Sequence, residues 1–261
     1  MTALLRPKGW GFGMPLETAG ASTWILQKEL DTFSPKWYMN WSQEHIVSKP
    51  GCVFTPMTWD ASDVSIIARM QSNPGETWLL FNEPERPEQN NKLPSIAANE
   101  TRVFLENAWN ANVEFQWAAA GVGPGTTDYD GLAWMTEYVQ DLRRKGISRP
   151  NYWQFHGYQS KNVAEFDATW SKIMAWYNVW GSGAPIIISE VCAEGNDLYN
   201  QKQVMNRVNT LLATGQIVAA SWFSSHASAV ANWTNACLAT FNVNNQTITK
   251  TALGNHWLSL Q

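Results

Sequence analysis

The sequence predicts an α/β fold: a single-domain (β/α)8 TIM barrel over residues 1–261. Three observations point there. Short apolar or aromatic runs bounded by turn signals recur eight times along the chain. Segments of helical spacing lie between them. No stretch is rich enough in Gly, Ser or Pro to be a linker, and no short repeat is present, so one domain accounts for the length.

Taken in order, the predicted strands are "KGWGFG" (8–13), "WYMNW" (37–41), "CVFTPMTW" (52–59), "TWLLFNEP" (77–84), "EFQWAAAGV" (114–122), "NYWQFHGY" (151–158), "APIIISEV" (184–191) and "IVAASWFSSH" (217–226). Between strands two and three, "SQEHIVSKPG" leaves room for at most a short helix. After strand five, "YDGLAWMTEYVQDLRRKG" is helical and ends in basic residues and Gly. "AEFDATWSKIMAWYNVW" carries Phe166, Trp170, Ile173, Met174 and Tyr177 at spacings of three and four. "YNQKQVMNRVNTLLATG" does the same with Val204, Val208, Leu211 and Leu212, and Gly215 reads as its stop. The competing architecture is an open doubly wound sheet. It lacks its phosphate loop, because "GWGFGMP" carries proline where a further Gly would open a helix.

Composition narrows the function. With 44% hydrophobic and 15% charged residues the chain can build a sizeable core. A net charge of −4 offers no footprint for nucleic acid, and no apolar run is long enough to span a membrane. The start, "MTALLRPKGW", has no apolar core of signal-peptide length: either the protein is cytoplasmic or this is a mature form with an added Met. Cys52, Cys192 and Cys237 match no zinc motif and leave a Cys192–Cys237 disulfide open. Sixteen tryptophans are far more than a core requires, since Leu and Ile fill space with no N–H to satisfy. Part of them are expected to pack helices on strands, and the rest to line a groove with flat plates on which sugar C–H faces stack.

In such a barrel the active site lies at the C-terminal ends of the strands. Those ends supply Trp10 and Phe12, Asn40 and Trp41, Trp59 and Asp60, Asn82 and Glu83, His156 and Tyr158, Glu190, then Trp222, Ser224 and His226. The apolar run "LLF" stops at Asn82-Glu83-Pro84 and so presents a carboxylate at its tip. Strands four and seven face each other across the barrel. Two carboxylates across a cleft are the tool of glycoside hydrolysis, one as acid and one as nucleophile or base. Four histidines without ligand spacing argue against a metal hydrolase, no Gly-x-Ser-x-Gly elbow is present, and the chemistry needs neither metal nor cofactor.

"FNEP" on strand four and "ISE" on strand seven resemble the clan A glycoside hydrolases, and "KGWGF", "PMTW", "FNEPERPEQNN", "FHGY" and the helix "TKTALGNHW" together resemble glycoside hydrolase family 128. The resemblance covers most of the chain in order. "ISEVCAEG" departs from it where Thr-Glu is expected, although Ser189 keeps a hydroxyl.

The resemblance implies a retaining β-1,3-glucanase acting on polysaccharides such as laminarin or curdlan, with Glu83 as acid/base and Glu190 as nucleophile; a barrel of 261 residues has few left for walls, so an open groove and endo cleavage of internal bonds are expected. It implies that Asn82 binds the sugar 2-hydroxyl and that Trp222 is a sugar platform, against core packing as the plainer alternative. Tyr158 is the expected donor to Glu190, and His156 shares its strand face; a hydrogen-bonded structural histidine is the alternative. Trp10, Trp41 and Trp59 are further candidate platforms. Apolar neighbours such as Phe81 are expected to raise the Glu83 pKa. Asp60 and Glu85 read as solvated or loop-capping carboxylates. A retaining clan A hydrolase of a β-1,4-linked glucan or mannan, or a non-catalytic glucan-binding barrel, are the competing functions. The expected partner is a β-glucan, with no nucleic acid and no membrane, the protein a monomer and secreted because its substrate is a polymer.

Overall fold

The computed structural model describes residues 4, 6–15, 23–124, 130–158, 160–226 and 234–261. In chain order the elements are β1 (Gly9–Gly13), α1 (Thr23–Phe33), β2 (Trp37–Met39), β3 (Val53–Phe54), β4 (Met57–Thr58), α2 (Ser65–Ser72), β5 (Thr77–Leu80), α3 (Pro94–Asn110), β6 (Gln116–Ala118), α4 (Gly131–Arg144), β7 (Trp153–Gly157), α5 (Val163–Trp180), β8 (Ile186–Val191), α6 (Leu198–Ala213), β9 (Ala219–Trp222), a hairpin of β10 (Ala239–Asn242) and β11 (Thr247–Lys250), and α7 (Ala252–Ser259). The result is an α/β domain of parallel strands and, among the described residues, seven α-helices. None of those helices is long and apolar enough to cross a membrane.

Local chemistry accounts for the helix ends. Asp130 caps α4 by accepting from the Leu132 and Ala133 N–H groups, and Arg143 and Arg144 close it against its carbonyl end. Asn162 caps α5, Asp197 caps α6 and Thr251 caps α7. Gly215, just past α6, has φ +71, the left-handed stop its position suggested.

Six strands pair in the order β3-β2-β1-β9-β8-β7 and three in the order β4-β5-β6, all parallel. The expected third strand, 52–59, is two short ones. Pro56 has no N–H to give the ladder, so the chain changes neighbours there. The Thr55 N–H donates to the Tyr38 carbonyl of β2, whereas the Pro56 carbonyl accepts from Leu79 of β5. Beyond β6, isolated bridges join Ala118 to Tyr152 and Val122 to Phe155. Residues 42–50 contain no helix. The β10–β11 hairpin is an addition to the expected plan; its register runs from Ala239 opposite Lys250 to Asn242 opposite Thr247.

Two apolar clusters hold the layers. Trp37, Met39, Met57, Leu79, Ala118, Tyr152, Ile187 and Ala219 come from strands or strand starts and pack on one another. The larger cluster packs the opposite strand faces on the helices. Each large apolar side chain buried there contributes roughly 1.5–3 kcal/mol. Most described tryptophans belong to this framework, and several find acceptors for the indole N–H: Trp37 from Gly9 at 3.1 Å, Trp153 from Gly181 at 2.7 Å, Trp222 from Ala236 at 2.7 Å. Cys52, Cys192 and Cys237 form no disulfide.

Candidate active site

The turn after β5 carries Glu83. Phe81 and Glu83 both lie in the left-handed region, at φ +57 and +40, a conformation that non-glycine residues adopt only when their surroundings hold them there. Here the hold is visible: Asn82 bridges Gly121, and the Glu83 N–H donates to the Gly121 carbonyl at 2.8 Å. Gln154, fully buried on β7, donates to the Leu80 carbonyl at 3.0 Å.

Glu190 reaches the same rim through a register shift. Phe155 pairs with Ile188, but the next residue, His156, pairs with Glu190. The extra residue on β8 re-aims Glu190 beside His156 instead of Ser189, a common use of a bulge. The two carboxylates are thus bridged by one imidazole. His156 Nδ1 lies 3.1 Å from Glu83 Oε1, and its Nε2 lies 3.4 Å from Glu190 Oε1. Gly121 makes room for that ring, since a Cβ there would come within 2.9 Å of His156 Nε2.

Two donors hold Glu190. The Tyr158 hydroxyl donates to Oε2 at 2.5 Å and the Trp41 indole N–H to Oε1 at 2.6 Å. Trp41 sits in the helix-free link after β2, at φ +56. That link is pinned by Arg69 to the Gln43 carbonyl, by Asn40 to the Glu44 carbonyl and by Tyr38 to the Val47 carbonyl. A Cβ at Gly13 would meet the Trp41 ring at 2.5 Å, so this strand position must stay bare. Trp59 is half-buried beside it and donates to the Trp41 carbonyl at 3.1 Å.

The charges follow from these contacts. Burial opposes the charged form of His156, but Glu190 and Glu83 outweigh it and push its pKa up to about 9. Burial would raise Glu83, yet the hydrogen bond and charge of His156, with Arg86 at 3.5 Å, hold it below the usual carboxylate range. This corrects the expectation of a raised Glu83: the apolar surroundings are there, but the cations win. Burial and the neighbouring Glu83 charge hold Glu190 above the usual range against His156, Tyr158 and Trp41.

Glu83, Glu190, His156, Tyr158 and Trp41 are therefore brought together, with Trp59 behind Trp41 and Asn82 beside Glu83. The Asn82 amide donates to Gln89 at 3.3 Å, and its carbonyl oxygen has no partner among the described residues. Trp10 and Trp222 are elsewhere, which corrects their expected place as platforms. Trp222 is 0% exposed and packs edge-on against Trp10, whose N–H donates to Asn209 of α6. Strand alternation explains both: Ala219 faces the inner cluster, so Trp222 faces the helices, and the glycines of "GWGFG" face inward while Trp10 and Phe12 face out.

The residue that takes the inner position is Phe223. Its half-buried ring lies 5.6 Å from Trp41 and 5.3 Å from Tyr158, edge to face with each. The segment that follows is anchored by a buried group. Ser225 Oγ donates to Glu29 Oε2 at 2.9 Å, and His226 Nδ1 lies 2.8 Å from Glu29 Oε1. Sequence reasoning passed over Phe223, although the period of two already put it on the Ala219 face. It passed over Arg86 as well. Asp60 is exposed and caps Ser62, as expected. Glu85 caps the Gly123 N–H at 2.9 Å, as expected, and its second oxygen is buried.

Comparison with known proteins fits this geometry. A family model described as glycosyl hydrolase catalytic core matches residues 18–254. No curated protein sequence matches the chain. Among solved structures, the chain is similar to a glycoside hydrolase family 128 subgroup I endo-β-1,3-glucanase from Amycolatopsis mediterranei in complex with laminaritriose: 19% identity over 97% of this chain and 100% of that one, TM-score 0.73. It is also similar to a subgroup II endo-β-1,3-glucanase from Sorangium cellulosum, at 18% identity over 97% and 98%, TM-score 0.73. A subgroup III curdlan-specific exo-β-1,3-glucanase from Blastomyces gilchristii, in complex with glucose, is 16% identical over 97% and 100%, TM-score 0.70.

Proposed function

We propose that this chain, which belongs to the glycosyl hydrolase catalytic core family, is a retaining endo-β-1,3-glucanase of glycoside hydrolase family 128. The observation that carries the proposal is the pair of buried glutamates, Glu83 and Glu190, bridged by His156 at 3.1 and 3.4 Å. The likeness to β-1,3-glucan-active structures favours that linkage over β-1,4.

In this reading Glu190 attacks the anomeric carbon as a carboxylate while the glycosidic C–O bond breaks, and the leaving oxygen takes a proton from Glu83. Water then attacks the glycosyl–Glu190 ester, gives its proton to Glu83 and frees Glu190. The proton Glu83 needs is already at hand. With its pKa near 9, His156 is an imidazolium at neutral pH and faces Glu83 Oε1. Transfer to Glu83 gives the acid. The same transfer removes both the Glu83 charge that raises Glu190 and the His156 charge that lowers it, so the carboxylate form of the nucleophile rests on its own donors. Tyr158 and Trp41 then fix both oxygens of the nucleophile. Phe223, Trp41 and Trp59 offer aromatic faces to the sugars, and Asn82, with an unpartnered carbonyl oxygen, is the candidate for the 2-hydroxyl.

The same proposal takes residues 1–261 as one catalytic domain. It takes the strands as one closed (β/α)8 barrel, supported by the β1–β9 pairing, the β3–β4 continuity at Pro56 and the bridges from β6 to β7. The protein acts as a secreted monomer on internal bonds of a polymer such as laminarin or curdlan.

The test is hydrolysis of laminarin, curdlan, carboxymethylcellulose, mannan and xylan by wild type, Glu83→Gln and Glu190→Gln. Cleavage of the β-1,3-glucans, lost by several orders of magnitude in either variant, is expected. Cleavage of the β-1,4 polymers instead would replace the linkage, and binding without cleavage by the wild type would make the protein a glucan-binding barrel.

A further inference from the structure

Glu85 is a third carboxylate at this rim, on the same turn as Glu83, and the reaction just described does not use it. Its Oε1 accepts the Gly123 N–H at 2.9 Å, and its Oε2 is buried with no hydrogen-bond partner among the described residues. The segment it grips is the spacer between the acid/base and the imidazole. On one side the Glu83 N–H donates to the Gly121 carbonyl at 2.8 Å; on the other the His156 N–H donates to the Val122 carbonyl at 2.9 Å. Gly121 lies so close that a Cβ would reach both Gln154 and His156 at 2.9 Å. The width and seating of Gly121–Gly123 therefore set how near Glu83 and His156 come, and Glu85 is the third point that fixes it.

We propose that Glu85 is a positioning residue of the catalytic pair: it pins the Gly121–Gly123 segment between Glu83 and His156, and its negative charge supports the proton those two share. The proposal rests on the reading of Glu83 as acid/base. A loop cap alone would need only a hydrogen-bond acceptor, which a neutral amide provides equally well. A carboxylate adds charge at a buried position. The ionisable groups around it are Glu83 and Arg86 from its own loop, His156 from β7 and, through His156, Glu190 from β8. Burial pushes Glu85 itself up to about 7, with the Glu83 charge adding and the backbone N–H groups and His156 opposing. Glu85 is thus ionised above neutrality, where the pair is most at risk of losing its proton.

The sign is fixed by electrostatics. A nearby anion favours the protonated form of both His156 and Glu83, so removing it lowers both pKa values. The experiment is imidazole NMR of the full chain, which holds only four histidines, on wild type, Glu85→Gln, Glu85→Asp and Glu85→Ala, with pH profiles of kcat/KM alongside. Glu85→Gln keeps an acceptor for Gly123 and loses the charge. It should lower the His156 midpoint by about half a unit or more and move the alkaline limb of kcat/KM to lower pH, with KM nearly unchanged. Glu85→Asp keeps the charge and should stay near the wild-type midpoint. Glu85→Ala loses the grip as well and should also lower kcat. A His156 midpoint within about 0.2 unit of wild type in folded Glu85→Gln, or a lowered midpoint in Glu85→Asp equal to that of Glu85→Gln, would overturn the proposal. The NMR arm needs no turnover: a wild type that cleaves no glucan refutes the function reading, whereas an unmoved His156 refutes the role of Glu85.

Discussion

Replacing Tyr158 by Phe removes one oxygen and leaves the ring where it is, between His156 at 5.7 Å and Phe223 at 5.3 Å. What is lost is the 2.5 Å hydrogen bond to Glu190 Oε2. Burial and the Glu190 charge hold the phenol well above its ordinary pKa, so it is a donor throughout the working range. A hydrogen bond to a charged acceptor is worth about 1.5–3 kcal/mol. At 1.36 kcal/mol per pKa unit, losing it raises the Glu190 pKa by about one to two units. The assay is kcat/KM for laminarihexaose between about pH 4 and about pH 9. The acid limb, which reports ionisation of the nucleophile, should move up by about one to two units, so that the rate well below the limb falls about ten- to a hundredfold. The Trp41 bond to Oε1 remains and keeps the shift from growing further. An acid limb that stays within about 0.3 unit of wild type would mean that Tyr158 does not support the ionised form, and the assignment of Glu190 as nucleophile would lose the support of its shortest hydrogen bond.

Trp222→Ala should act on stability, at a cost of about 3–5 kcal/mol seen as a lowered Tm and denaturant midpoint, because a fully buried ring and its bond to Ala236 are removed; oligosaccharide affinity of the folded fraction, by calorimetry on Glu190→Gln, should change little. Phe223→Leu should do the reverse, leaving Tm nearly unchanged and weakening laminarihexaose binding several-fold to about tenfold, in line with the roughly 0.5–1.5 kcal/mol of an aromatic contact beyond its burial. Loss of affinity in Trp222→Ala without loss of Tm would restore Trp222 as the platform.

The contrast between Trp222 and Phe223 marks what could be read from the sequence. Each of the eight apolar runs contains a strand that starts within two residues of the expected place, because periodicity and turn residues are local signals; the third run is two short strands, and the runs ending at 84, 122 and 226 overshoot their strands by four residues. Gly215 was legible for the same reason. Glu83 and Glu190 were legible because a carboxylate ending an apolar run is costly unless it is used. The face on which each strand residue lies was written in the alternation, but the inward face of β1 and β9 is built from small residues, Gly and Ala, and the conspicuous tryptophans drew attention to the outward face. The bulge that pairs His156 with Glu190 has no local signature. The split at Pro56 did, since proline in an inner strand must break the ladder. The depressed Glu83 pKa could not be read at all: its leading counterweight to burial, His156, is 73 residues away in sequence.

The central claim is that Glu190 forms a covalent bond to the sugar, and the anomer released first reports on it. Laminarihexaose digested by the wild type, followed by proton NMR within the first minutes, should show the β-anomer of the new reducing end before mutarotation brings in the α-anomer. Initial release of the α-anomer would mean direct displacement by water, and the account of Glu190 as nucleophile would be wrong.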